Sequence, residues 1–548
     1  MNKSGSLISQ LFSIRNWYGK KISTKKLNLL NALSTEPVKS KTALQSYYDT
    51  LLFLMAYPDN KSIYQHAYRS LQQMHLYIQS HKNIRERLFN SGITNTQLCA
   101  AFSFEIIKWL RKKHPKDIRL SSFEADDGQI QSILSVVMPK VESEILQDAN
   151  ATWKSWFKQS LKKGEDILDR LIAIFDETDI RPEVRDELWA SIGINVEINF
   201  SSHENLPGSL MAPYYHRSIL KKKLIQQHPG IKSIRVDLEE MEAEQIIECG
   251  RMILVRHLRE IDPITFTAAR LVSYYQLSRG VSVALMGMVP ERRHPIDSYM
   301  GYVVFKNGLP VAYAGSWILF DSGRIGLNVF PAYRGGESQY IFEQVVKLHQ
   351  HVYHLNRFSV DPYQIGKENS DGIQSGAFWI YYRAGFRPLR EEQKQLAETE
   401  ALKIKSIKVY RSPASALKKL AESMLEILLQ KNEVRFDATD LSLAYARILK
   451  DQYNNNRKLA EELSFTKLVE WLQLKNYHEE KLQFILKNWC VLLHSNEQEL
   501  YHHNGFQKIL KKLFELKATG SEEDYIAELQ LAGELRRFIE RIVKKNVR

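Results

Sequence analysis

The sequence predicts an α+β protein: a central, mixed but mainly antiparallel sheet with helices, flanked by N- and C-terminal all-helical regions. Three observations predict it. Apolar residues recur at helical spacing before residue 195 and again after residue 412. β-rich runs dominate the stretch between. Within that stretch Asn307-Gly308 separates two such runs, and Asn-Gly is the strongest short hairpin signal because both residues take positive φ. The implied organisation is a helical region over 1–200, an α+β domain over 230–412 and a second helical region over 413–548.

Residues 43–195 read as helices. Leu51, Leu54 and Met55 share one face, and Pro58 stops that helix. Leu71, Met74, Leu76 and Ile78 mark the next, and further helical segments cover 96–113, 129–148 and 150–176. Strict alternation over 194–200 gives the first strand. Residues 281–288 are β-rich. Strands 302–305 and 311–314 flank the turn at 306–309, and a strand over 325–330 follows the turn Asp321-Ser322-Gly323. A helix over 337–353 carries Ile341, Val345, Leu348 and Val352 on one face. A short strand at 358–360, a helix at 374–384 and a last strand at 404–410, ending before Pro413, complete the domain. Leu417, Leu420, Met424 and Leu428 predict the next helix, and Leu459, Leu463, Val469 and Leu472 another. Further helices carry Phe484, Ile485 and Leu492, then Ile509, Leu513 and Leu516, then Leu535, Phe538 and Ile542.

Composition narrows the class. The 548 residues are 44% hydrophobic and 25% charged, as in an ordinary folded protein. The longest apolar run, 51–56, is far short of the roughly 20 residues that span a bilayer, so no transmembrane helix is expected. Cys99, Cys249 and Cys490 lie far apart with no CxxC pair. That pattern argues against a thiolate zinc site or a disulfide framework and fits a reducing, cytoplasmic setting. The net charge of +13 permits an acidic partner. Its denser spots are Lys20, Lys21, Lys25 and Lys26, then Lys221, Lys222 and Lys223. A nucleic-acid groove would gather such charge in one stripe with stacking aromatics, so solvated helical faces are the expected reading. The N-terminus has no acid before Glu36, is Ser-rich and carries Lys3 and Arg15. A basic, poorly ordered arm is expected there, with an organelle transit peptide as the alternative.

Two stretches carry candidate chemistry. In Asn328-Val-Phe-Pro-Ala-Tyr-Arg-Gly-Gly-Glu-Ser-Gln339 a strand runs into an Arg-Gly-Gly turn and opens a helix. Glycines let backbone approach a ligand, and free N–H groups at a helix start attract anions. The plain alternative is a tight strand-to-helix turn. In Ala377-Phe-Trp-Ile-Tyr-Tyr-Arg-Ala-Gly-Phe386 a helix carries Ala377 and Tyr381 on one face and stops at Gly385.

Together these stretches resemble the GNAT superfamily of acyl-CoA-dependent N-acyltransferases. In that family a strand ends in an Arg/Gln-x-x-Gly-x-Gly/Ala turn, followed forty to fifty residues later by Asn-x-x-Ala-x-x-x-Tyr-x-x-x-Gly-Phe. Arg334 matches the first motif, and Ala377, Tyr381, Gly385 and Phe386 match the second without gaps. The likeness covers about residues 240–412 and is sharp over 299–388. It implies acetyl-CoA or another acyl-CoA as co-substrate, no metal, and a small-molecule or protein amine as acceptor. Val329, Arg334, Gly335, Gly336 and Ser338 would hold the coenzyme, and Tyr381 would protonate the departing thiolate. Asp361 is the best candidate for the general base, the alternative being a turn-forming Asp before Pro362. Tyr363, Gln364 and Asn369 could line an acceptor pocket.

The chain departs from the family at Glu337 and Gln339, where the turn's later glycines belong, and at Gln374, where the Asn belongs. Glu337 would repel a bound pyrophosphate unless it points outward or pairs with Arg334. His351 and His354, three apart on a helix, lack a third ligand and read as solvated or capping residues. The resemblance implies an acyltransferase. Two rivals are a catalytically inactive GNAT-fold scaffold, motivated by Glu337 and Gln339, and an aminoacyl-tRNA-dependent transferase, motivated by net charge and Lys221–Lys223.

Overall fold

The computed structural model of the chain describes all residues except 1–2, 35–37, 39, 145–151, 202–203, 212, 221–229, 430–435, 476, 504 and 548. The chain divides into two units: 1–206 with 215–217 and 248–260, and 207–214 with 218–247 and 261–548. Lys221–Lys223 lie outside the described residues.

The first unit opens with helices Lys3–Ile14, Lys20–Ser34, Lys41–Ala56 and Lys61–Ser80. The N-terminal segment is thus not the poorly ordered arm that its charge predicts. Ile8, Leu11 and Ile14 recur every three residues and are all buried. Lys26 also turns inward, 2.6 Å from Asp59, so the first lysine cluster exposes only Lys20, Lys21 and Lys25. Asn60 accepts from the Ile63 amide at 3.0 Å and caps the fourth helix just after Pro58.

Three strands follow in this unit: β1 (Gln97–Ala101), β2 (Ile118–Phe123) and β3 (Ile194–Asn199). β3 lies between the other two and is antiparallel to both. Residues 97–101 read as the start of a helix but form a strand. The helix begins only at Phe104, where the Ser103 hydroxyl caps the Ile106 amide. A five-residue run is too short for periodicity to separate strand from helix. Trp189 meets the rings of Phe104 and Phe175 edge-on and donates to the Phe102 carbonyl at 3.1 Å. This ties the helices to the start of the first one beyond β1.

The second unit holds a ten-stranded sheet. Its strands are β4 (Ser233–Val236), β5 (Val272–Leu277), β6 (Val281–Met286), β7 (Ser298–Lys306) and β8 (Leu309–Leu319). Then come β9 (Ser322–Ile325), β10 (Asn328–Val329), β11 (Arg357–Val360), β12 (Arg387–Pro388) and β13 (Leu425–Leu428). The order is β12-β13-β11-β9-β8-β7-β6-β5-β4, with β10 paired to β8. All pairs are antiparallel except β9 with β11. Asn307 (φ 48°) and Gly308 (φ 81°) make the β7–β8 turn, both in the left-handed region that this turn demands.

Helix Ser338–Tyr353 follows the sheet's central strands and buries Ile341, Val345 and Leu348. The helix expected over 374–384 is split at Gly376 (φ 64°) into Ser370–Ser375 and Ala377–Ala384. The strand expected at 404–410 is absent. Residues up to Ser406 continue helix Glu391–Ser406, and Ile407 and Val409 are exposed beyond it. Its place in the sheet goes to β13, between β11 and β12. The apolar spacing from Leu417 to Leu428 suits a helix, yet the helix stops at Leu420. Past it the Ser423 hydroxyl accepts from the Leu389 and Arg390 amides, both at 3.1 Å, which aligns β13 with β12.

The remaining helices, from Ala438–Tyr453 to Gly533–Val547, share one apolar core that includes Leu319 and Phe320. Arg536 reaches Asp321 at 2.6 Å, and Gln530 donates to the Tyr353 carbonyl at 3.0 Å. In helix Arg457–Leu472 the expected inward residues Leu459 and Leu463 are exposed, and Ala460, Ser464 and Leu468 are buried instead. Small residues let this helix approach its neighbours closely. Among the described residues no helix is long and apolar enough to cross a membrane.

Candidate functional site

The sheet parts at the one parallel pair among the described residues. β9 and β11 are in register from Arg357↔Ser322 to Ser359↔Arg324, and there the pairing stops. Beyond it the first strand continues as β10, bonded to β8 through Asn328↔Tyr313 and Val329↔Ala312. The peptide between Gly326 and Leu327 lies at this divergence. Two tyrosines hold it. Tyr302 donates to the Gly326 carbonyl, and the Leu327 amide donates to the Tyr381 hydroxyl at 3.1 Å.

Tyr381 comes from helix Ala377–Ala384, whose C-terminus is fixed by Gly385 (φ 112°). Its ring meets Phe342 of helix Ser338–Tyr353 edge-on, with centroids 4.9 Å apart. The hydroxyl is buried, and burial pushes its pKa well above the ordinary value, the Leu327 amide opposing. Tyr381 is therefore a neutral phenol at physiological pH. Gln364 closes the divergence from the β11 side: a Cβ on Gly326 would stand 2.8 Å from its Cδ.

Asp361 lies at the end of β11. Its carboxylate accepts from the Tyr363 amide at 2.9 Å and stands 3.7 Å from Arg324. It caps the short helix Pro362–Ile365. Asn369 likewise caps helix Ser370–Ser375 through the Gly372 amide at 3.2 Å, and Tyr363 is exposed.

The turn before helix Ser338–Tyr353 is compact. The Arg334 amide donates to Pro331 O and the Gly336 amide to Tyr333 O, both at 3.2 Å. Gly335 takes φ 86°, and the Arg334 side chain is exposed. Val329 is half-buried on β10, and Ser338 opens the helix. In the helix's first turn the Gln339 side-chain nitrogen is shielded from solvent and has no hydrogen-bond partner among the described residues. It is a donor awaiting an acceptor.

Glu337 points inward. Its carboxylate takes Lys306 at 2.9 Å, Arg279 at 2.5 Å and the Leu220 amide at 2.9 Å. Burial alone would raise its pKa, but these three donors outweigh burial and hold it below the ordinary value. Arg279 itself sits at φ 65°, a strained position for a side chain of its size. Lys306 is legible only as a hairpin residue, and nothing in the local sequence marks Arg279.

Beneath the same strands, Ser316 of β8 and His349 of helix Ser338–Tyr353 are 3.0 Å apart and fully buried. His349 Nδ1 donates to Val345 O at 2.8 Å, which leaves Nε2 to accept from Ser316. Burial depresses its pKa to about 4. His351 and His354 lie at the far end of that helix. Among the described residues no three His, Cys, Asp or Glu side chains gather as a metal site requires.

The fold and site define a mixed α/β protein with a mostly antiparallel sheet flanked by helical regions. Comparison with protein-family models, curated proteins and solved structures finds no match to this chain.

Proposed function

We propose that the second unit is an acyl-CoA-dependent N-acyltransferase. The observation that carries this reading is the parting of β10 from β11 with the Tyr381 hydroxyl on the Leu327 amide. Such a parting exposes strand backbone where an extended thioester arm could run. The Gln339 nitrogen and the exposed Arg334 side chain are the groups this reading assigns to a diphosphate. The coenzyme would bring an activated acyl group. An acceptor amine attacks the thioester carbonyl carbon, the carbon–sulfur bond breaks, and the sulfur takes the Tyr381 proton. The amine nitrogen releases its proton to water, and the Tyr381 oxygen regains a proton from solvent, which restores the neutral phenol. Burial keeps Tyr381 protonated at neutral pH, so its hydroxyl hydrogen is available to the developing thiolate.

A second reading rests on the Gly336 amide, which already serves Tyr333, and on Glu337, which is committed to Lys306 and Arg279. Both features suit a protein that keeps the sheet and has given up the coenzyme. Titration calorimetry with acetyl-CoA separates the two. Saturable binding that weakens by about tenfold or more in Arg334→Ala is the expected result. Absence of heat at millimolar ligand leaves the scaffold reading.

A further inference from the structure

We propose that the C-terminal helices of the second unit hold a separate binding site for an organic anion with an apolar body. A cavity of about 490 Å³ lies between helices Ala438–Tyr453, Arg457–Leu472 and Glu480–His494 and the loop at Pro295–Asp297. That volume is within the roughly 300–1,000 Å³ range of small-molecule sites. Its apolar wall is built from Ile296, Leu441, Phe484 and Leu492.

The charges decide the ligand class. Arg457 and Lys487 line the cavity from facing helices. Both are exposed, and among the described residues neither forms an ion pair, whereas Lys458 and Lys467 on the same helix as Arg457 pair with Glu462 and Glu497. The Arg457 guanidinium lies 5.7 Å from the Tyr445 ring, which orients it along the wall. The cavity's two acids offer less competition. Glu461 accepts from the Tyr445 hydroxyl at 3.4 Å, and burial pushes Asp297 toward its neutral form. The arrangement therefore has two cations without an ion-pair partner among the described residues, above an apolar floor. It fits a carboxylate or sulfonate whose hydrocarbon or aromatic part enters between the helices. This site shares no residue with the divergence of β9 and β11 and does not depend on the coenzyme reading.

The test uses the full chain and the fluorescent probe 8-anilinonaphthalene-1-sulfonate. Saturable one-site binding is expected, displaced by dodecanoate and at least about tenfold less well by dodecanol. The double variant Arg457→Glu/Lys487→Glu alters only exposed side chains and should weaken the probe by about tenfold or more with an unchanged melting curve. Leu441→Trp, which fills the cavity, should abolish one-site binding. Three results would overturn the proposal: non-saturable fluorescence, equal displacement by dodecanol, or undiminished affinity in the charge-reversed double variant.

Discussion

Glu337 Oε2 lies 2.9 Å from the Lys306 ammonium, and both side chains are fully shielded from water. Arg279 and the Leu220 amide complete the set around the carboxylate. A buried ion pair adds little by itself, yet losing one partner strands the other charge. Glu337→Gln should therefore cost about 3–5 kcal/mol in urea unfolding, and adding Lys306→Met should restore part of it. The same pair sets a pH window. Folding lowers the Glu337 pKa below its ordinary 4.5, so the folded state binds fewer protons than the unfolded state just under that pH. Its stabilisation is complete above 4.5 and is lost as pH falls through the depressed value. Stability profiles of wild type and Glu337→Gln should converge on acidification. Parallel profiles would show that folding leaves the Glu337 pKa unchanged.

Much of the frame around this pair is legible in the sequence. The β7–β8 hairpin follows from Asn307-Gly308, and helix Ser338–Tyr353 from the spacing of Ile341, Val345 and Leu348. The elements that escape are those whose identity is set by distant partners. β1 exists because β3 offers an edge at Gln97↔Asn199, and β13 because β11 and β12 leave a gap between them. Residues 404–410 alternate like a strand, but no edge receives them. The site divides in the same way. Tyr381 is legible from its place ahead of Gly385. The partners of Glu337 are not, because Arg279 reaches it from the link between β5 and β6 and Lys306 from the end of β7, both far away in the chain.

Tyr381→Phe removes the acceptor for the Leu327 amide and keeps the ring against Phe342. An amide left without a protein partner in that part-buried setting costs up to about 1–3 kcal/mol, read as a lowered urea midpoint. On the acyltransferase reading, turnover also falls by about tenfold or more while acetyl-CoA affinity is nearly unchanged. A stability loss with turnover intact would make the hydroxyl a structural clamp only.

Gly315 and Gly326 predict opposite tolerances. A Cβ at Gly315 would lie 2.3 Å from Tyr299 Cε2. That ring is stacked on Trp317 with centroids 4.0 Å apart and planes at 9°, so moving it aside breaks the stack. Gly315→Ala should cost about 1–3 kcal/mol. At Gly326 the obstacle is the end of the Gln364 side chain, which is half-buried and can swing away. Gly326→Ala should cost much less. Equal losses in the two variants would mean that Gln364 is locked across the divergence.

His349 gives the fold a second acid sensitivity, at a higher pH than Glu337. Burial holds the imidazole neutral in the folded protein, with a pKa of about 4 against 6.5 when exposed. Between those values the unfolded chain carries the extra proton, so stability rises with pH across the window and is fully present above 6.5. Each pH unit in the window is worth about 1.4 kcal/mol, so acidification from pH 7 to pH 5 should remove about 2 kcal/mol through this residue. His349→Gln keeps a polar side chain near Ser316 and Val345 but cannot titrate. The variant should be less stable than wild type at pH 7 and lose less on moving to pH 5. His75, buried in the first unit and also depressed to about 4, remains in both proteins and cancels in the comparison. If wild type and variant lose equal stability over that interval, folding leaves the proton affinity of the imidazole unchanged. At pH 5 Ser316 would then face a donor at Nε2, and the hydrogen bond assigned between them would have to run from histidine to serine.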